Sequence, residues 1–147
     1  MLSETALKPI TPAQLRSLAE RKAAEEARKD HETMKKAEEN RKHLHETFLS
    51  QETRPDAMER VMTAVQRAAE QGKTELLALQ FPSSYLPDGG RKINNFEPDW
   101  PGSLDGFAKR AFDFFAQHLQ PQGYKCRAQI LDYPDGKPGE VGIFLSW

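Results

Sequence analysis

Large apolar side chains are sparse in the first third of the chain and recur at regular intervals after it. From Ala13 to Arg54 no glycine or proline intervenes. Thr11-Pro12-Ala13-Gln14 opens this stretch with a helix-start signature. Thr11 caps, Pro12 suits the first turn, and Gln14 completes a capping box. Between Leu18 and Met34 the only apolar side chains are Ala19, Ala23, Ala24 and Ala27. The predicted helix therefore has no wide core-facing stripe there. Acid-to-base pairs four residues apart, Glu25–Lys29, Glu32–Lys36 and Glu38–Lys42, each add ~0.2–0.5 kcal/mol to such a helix. Toward its end Met34, Ala37, Leu44 and Phe48 recur at three- and four-residue steps with Arg41 in the gap. That short seam suits a partner helix, and a self-associating coiled coil is one reading of it.

After Arg54 the pattern changes. Pro55 and Asp56 suit a first helical turn, and Met58, Val61, Met62, Val65, Ala68 and Ala69 trace one apolar face. Gly72 is placed to end that helix. Glu75–Phe81 reads as a strand with Leu77, Leu79 and Phe81 on one face, and Pro82 limits its continuation. Residues 82–102, with four prolines and three glycines, read as a long loop. Ser103 then caps a helix carrying Leu104, Phe107, Ala108, Ala111, Phe112, Phe115 and Leu119, which ends at Pro121-Gln122-Gly123. Two strands follow. Tyr124, Cys126, Ala128 and Ile130 share one face of the first, and Val141, Ile143, Leu145 and Trp147 one face of the second. The turn-forming run from Pro134 to Gly139 joins them as a hairpin. Because the sequence ends within the last strand, Trp147 is expected to be structural. The fold class expected is α+β: a long charged N-terminal helix, then a small domain of two helices packed on a three-stranded, mostly antiparallel sheet.

Composition sharpens the division. Residues 1–54 hold 21 charged residues, and residues 55–147 hold 22. All nine glycines follow residue 71, and twelve of the thirteen aromatic residues follow residue 80, Phe48 being the exception. Aromatic side chains supply much of a small core. The expected organisation is thus a partly solvated charged arm over 1–54 and a compact domain over 55–147. The net charge of −1 across 147 residues provides no bulk attraction for nucleic acid or an anionic membrane. The single cysteine, Cys126, excludes an intramolecular disulfide and a cysteine-built zinc site. No segment approaches the roughly 20 apolar residues that span a bilayer. Met1–Pro9 carries an early acid and lacks the apolar core of an export signal. A cytoplasmic protein is expected.

The candidate chemistry concentrates in one loop. Gly89-Gly90 permits positive φ, so successive N–H groups can converge on an anion. Arg91 and Lys92 add charge, Asn94 and Asn95 add amide donors, and Ser83 and Ser84 add hydroxyls. Such a group suits a phosphate or carboxylate, although the spacing is not that of a P-loop. The competing reading is a tight turn in which Asp88 and the asparagines bond local backbone. The run FPSSYLPDGGRKINNFEPDWP, followed by GFAKRAFDFF and QGYKCRAQILDYPDGKPGEVGIFLSW, resembles a family of small uncharacterised bacterial proteins. These share an FPS…DGGR…INN run and an aromatic-rich closing hairpin that ends in tryptophan. The resemblance covers about residues 77–147 and leaves out the charged helix. It implies a recurring domain and assigns no activity, fold or cofactor. Asp88, Gly89, Gly90, Arg91, Asn94 and Asn95 match its most recognisable run, and Gly139, Gly142 and Trp147 match its closing one.

Other residues carry less. His43 and His45 point about 200° apart on a helix and cannot share a metal. His31 and His118 are isolated, so neither a metal nor another cofactor is expected. Cys126 alternates with apolar neighbours, which favours a buried thiol over a nucleophile. Asp132, Asp135 and Glu140 flank a turn, where acids serve backbone geometry. Lys125, Arg127, Lys109 and Arg110 are candidates for a small basic patch beside aromatics, which the acidic balance of residues 55–147 opposes. With no catalytic constellation in the sequence, the expected function is a non-enzymatic interaction module. Its helical arm binds a protein partner or a second copy. The alternative is binding of an anion or phosphorylated small molecule, with or without catalysis, at Asp88–Asn95.

Overall fold

A computed structural model describes residues 8–147. The expectation about an export signal rests mainly on Met1–Leu7, which lie outside the described residues. Helix α1 runs over Pro12–Ser50 and starts as its sequence dictates. The Thr11 backbone N–H donates to Gln14 Oε1 at 2.9 Å, and the Gln14 N–H donates to Thr11 Oγ1 at 3.2 Å. Two of the donors that every helix start leaves unpaired are thereby satisfied. The chain divides into one unit ending at Leu44 and another spanning His45–Trp147.

In the first unit every residue from Lys8 to Leu44 is exposed. The Glu25–Lys29 pair forms at 3.4 Å. Glu32 pairs backward with Arg28 at 2.9 Å rather than forward with Lys36. Arginine four residues ahead of a glutamate competes for the same carboxylate, and its donor fork reaches that carboxylate here. Such exposed pairs add little, so this part of α1 is held chiefly by backbone hydrogen bonds and helix propensity.

The second unit holds helix α2 (Ala57–Glu70), strand β1 (Glu75–Pro82), the short helix α3 (Arg91–Asn94) and helix α4 (Gly106–Phe114). Strands β2 (Lys125–Ile130) and β3 (Glu140–Ser146) complete it. The three strands order as β1-β3-β2, with both pairings antiparallel. The last strand therefore lies between the other two, as in a split β-α-β unit. Val141, Ile143 and Leu145 of β3 are buried on the inner face. Helices α2 and α4 cover that face, so the architecture is α+β with helices on one side of an antiparallel sheet.

Four expectations change. First, β1 does not keep Leu77, Leu79 and Phe81 on one face. The register shifts between Leu77 and Leu79, so Leu76, Leu79 and Phe81 pair with Leu145, Ile143 and Val141 while Leu77 pairs with Phe144 on the outer face. One extra residue, Ala78, reverses the alternation. Second, Ser103 does not cap α4. Its hydroxyl donates to the Trp100 carbonyl at 2.7 Å, and Asp105 Oδ1 accepts the Gly106 N–H at 2.9 Å. The helix begins later and leaves α-geometry for a π-turn over Phe115–Leu119.

Third, residues 82–102 are not one extended loop. They form short turns, including 3-10 turns at Ser83–Tyr85 and Trp100–Ser103 and helix α3. Leu86 and Ile93 from this stretch are buried in the core. Fourth, the compact unit begins at His45 rather than after Arg54. Phe48 does not belong to a solvent seam with Met34 and Leu44. Its ring centroid lies 5.1 Å from that of Phe81 and 4.9 Å from that of Tyr85. Gly106, at φ +56°, makes room for this turn of α1, since a Cβ there would lie 2.8 Å from Leu49 Cα. Arg110 Nη1 then donates to the Leu49 and Gln51 carbonyls at 2.9 and 3.0 Å. A cation on these otherwise orphan acceptors suits the negative end of a helix. Trp147, one residue past β3, donates its backbone N–H to the Thr74 carbonyl at 3.0 Å and is exposed, so it does not join Val141, Ile143 and Leu145 on the buried face.

Candidate functional site

The Asp88–Asn95 segment is a tight turn that satisfies its own backbone donors. Gly89 and Gly90 take φ values of +66° and +84°, and neighbouring N–H groups part: that of Gly89 donates to the Leu86 carbonyl at 3.0 Å and that of Arg91 to the Asp88 carbonyl at 3.3 Å. The Asp88 carboxylate accepts the Gly90 N–H at 2.9 Å and the Lys92 N–H at 3.1 Å. The carboxylate thus opens α3 as a capping acid does. Gly90 is also packed too closely to carry a side chain, for a Cβ there would lie 3.1 Å from Ser83 Cβ and 3.4 Å from Ile130 Cδ1.

The other candidates disperse from this point. Ser83 Oγ donates to the Pro138 carbonyl at 2.8 Å, and the Ser83 N–H donates to the Gly139 carbonyl at 2.8 Å, so this buried serine clasps the β2–β3 connection. Ser84 and Asn95 are exposed. Lys92 Nζ contacts Asp99 Oδ2 at 2.6 Å. That hydrogen bond raises the lysine above its ordinary value and lowers the aspartate below its own. Asn94 Oδ1 accepts the Tyr133 hydroxyl at 2.7 Å and ties α3 to the connection as well. Arg91, the remaining cation of the run, is exposed. The structure thus brings Asp88, Gly90 and Lys92 together through backbone groups, and directs Ser83 and Asn94 to the neighbouring turn.

The basic residues do not form one patch. Lys125 and Arg127 alternate outward on β2, whereas Lys109 and Arg110 belong to α4 on the inner side of the sheet. Arg127 donates to Glu75 at 2.8 and 3.2 Å and lies 4.1 Å from the centroid of the Phe144 ring. These hydrogen bonds hold the Glu75 carboxyl below its ordinary value. Asp132 Oδ1 accepts the Glu140 N–H at 2.6 Å, a turn-closing role. His45 stacks on Tyr85 with ring centroids 4.4 Å apart, and the His118 ring lies 4.8 Å from that of Phe114. Among the described residues no cluster of three or more histidine, cysteine, aspartate or glutamate side chains is arranged to hold a metal. Among the same residues no helix is long and apolar enough to cross a membrane. Burial pushes the Cys126 thiol up to about 11, which keeps it protonated at neutral pH.

Sequence reasoning named Asp88 in its tight-turn alternative, which these hydrogen bonds match, but missed Asp99 as the partner of Lys92. It also missed Arg110 and Gly106 as the pair that holds the end of α1, because nothing local marks them. No family model, curated protein or solved structure matches this chain, so function is argued from its own residues.

Proposed function

We propose that the protein is a non-enzymatic interaction module whose helical arm binds a protein partner or a second copy. One observation carries this reading: every residue of Lys8–Leu44 is exposed, and Leu15, Leu18, Met34 and Leu44 are among them. A long helix without a buried face gains little from its own chain, since most helices in proteins draw their stability from a packed apolar side. Leu15 and Leu18, three residues apart, share one side of the helix, while Met34 lies well round from both. Short apolar patches within a charged surface suit docking into a partner's groove better than a long continuous seam. The resemblance to small bacterial proteins over the second half of the chain, and a cytoplasmic setting suited to one unpaired thiol, belong to the same proposal.

The phosphate-binding alternative draws less support, because the Asp88 carboxylate already accepts the Gly90 and Lys92 N–H groups, while those of Gly89 and Arg91 donate to backbone carbonyls. The test uses the full chain and its Leu15→Glu/Leu18→Glu variant in light scattering and in cross-linking followed by mass spectrometry. The variant is expected to lose a dimer or a defined complex while its melting temperature stays unchanged. Identical assembly and identical cross-linked partners in both proteins would refute the proposal.

A further inference from the structure

Within the His45–Trp147 unit a cleft of about 160 Å³ opens between α2, α4 and the sheet. Its floor is set by buried Phe115, Leu119, Ile143 and Leu145, and its rim by half-buried Val61, Leu79, Phe107 and Phe114. No charged, amide or imidazole side chain lines it, and its only polar side-chain groups are the Thr53 hydroxyl and the Cys126 thiol. Three lining positions are alanine, one from each wall: Ala57 on α2, Ala78 at the β1 bulge and Ala111 on α4. A larger residue at any of them would close the gap, as close-packed interiors ordinarily do.

We propose that this cleft is a binding site for a small, uncharged, apolar molecule the size of a single aromatic ring. Size comes from the volume, since a cavity of about 150 Å³ lined by aliphatic and aromatic groups is enough to take up benzene. Chemical class comes from the lining. A charged ligand would lose its hydration with no ion partner here, and a strongly polar one would find only a hydroxyl and a thiol. Of the five phenylalanines that line it, Phe107, Phe112, Phe114 and Phe115 offer ring faces and edges to an aromatic guest, while the Phe144 ring lies against Arg127. Burial of the Cys126 thiol, which raises it above its ordinary value, accords with the apolar lining. The site is separate from the exposed arm and from the Asp88 turn, and it does not rest on the interaction proposal.

The test uses the full chain with benzene and indole as probes, and benzoate and benzylammonium as charged counterparts. Both neutral probes are expected to raise the melting temperature with concentration, and both charged ones to leave it unchanged. Cys126, the chain's single cysteine, gives a second readout. A probe at ten times its dissociation constant should slow alkylation of the thiol about tenfold, because only the unbound fraction reacts. Ala111→Leu should abolish both effects by filling the cleft. Ala57→Leu makes the same test from the other helix, should the first variant fail to fold. The proposal is overturned by no shift with either neutral probe up to its solubility, by a shift that persists in the folded filled variants, or by stabilisation without protection of Cys126. A dimer that covers the cleft and abolishes the probe response would overturn it equally.

Discussion

Replacing Phe48 by alanine should show that the last turns of α1 belong to the core. The Phe48 side chain is 8% exposed, with Phe81 at 5.1 Å, Tyr85 at 4.9 Å and Phe107 at 6.5 Å between ring centroids. Removing a buried phenylalanine forfeits about 1.5–3 kcal/mol of transfer free energy. A cavity term and lost aromatic contacts bring the expected cost to about 3–5 kcal/mol. Leu44, one turn earlier on the same helix, is 51% exposed, and Leu44→Ala should change stability by less than about 0.5 kcal/mol. Urea melts followed by fluorescence and circular dichroism would give both values. The midpoint should fall steeply for Phe48→Ala and hold for Leu44→Ala. Equal small effects from the two substitutions would refute the assignment of His45–Ser50 to the compact unit.

Further expectations concern the turns and the titrating groups. Gly106→Ala should destabilise by more than the ~1–2 kcal/mol of left-handed strain, because its Cβ would also meet Leu49 Cα and the Phe48 carbonyl. Gly72→Ala, at φ +79° with open space around it, should cost the strain alone, and equal losses in denaturant melts would remove the steric argument. Asp88→Ala should cost about 0.5–2 kcal/mol, as loss of a helix-capping acceptor does, and hydrogen exchange at Gly90 and Lys92 should quicken. Unchanged exchange there would count against the cap. Glu75 is held below its ordinary value of 4.5 by Arg127, so its contribution is complete above that value and is lost as pH falls through the lower folded value. For Cys126, raised by burial from 9.0 to about 11, the contribution is complete below 9.0 and is lost as pH rises toward 11. Denaturation midpoints across pH should show both limbs, with the alkaline one flatter in Cys126→Ala; an identical alkaline limb in that variant would refute the assignment.

Local chemistry was enough to read several elements from the chain alone. The Thr11–Gln14 box closes as its spacing dictates, because both partners lie within one helical turn. The apolar face of α2 points Val65 and Ala68 inward, and β2 alternates as its pattern demands, with Ile130 buried and Arg127 outward. Helices, turns and strand faces follow from periods of 3.6 and 2, which are properties of neighbouring residues. The tight turn at Asp88–Gly90 was legible for the same reason, since its hydrogen bonds join residues two and four apart.

Tertiary structure decided the rest. Phe48 has the same residue spacing in a seam as in a core, and only the Phe81, Tyr85 and Phe107 rings, brought close by the fold, determine which it joins. The bulge at Ala78 reverses the face of Leu77 because β3 fixes the register from the far end of the sequence. Placement of β3 between β1 and β2, and the gap left by three alanines on separate elements, depend in the same way on contacts between residues distant in sequence. Periodicity along a chain determines which side of an element is apolar. Which apolar surfaces meet, and where they fail to close, is set by the packing of all the elements at once.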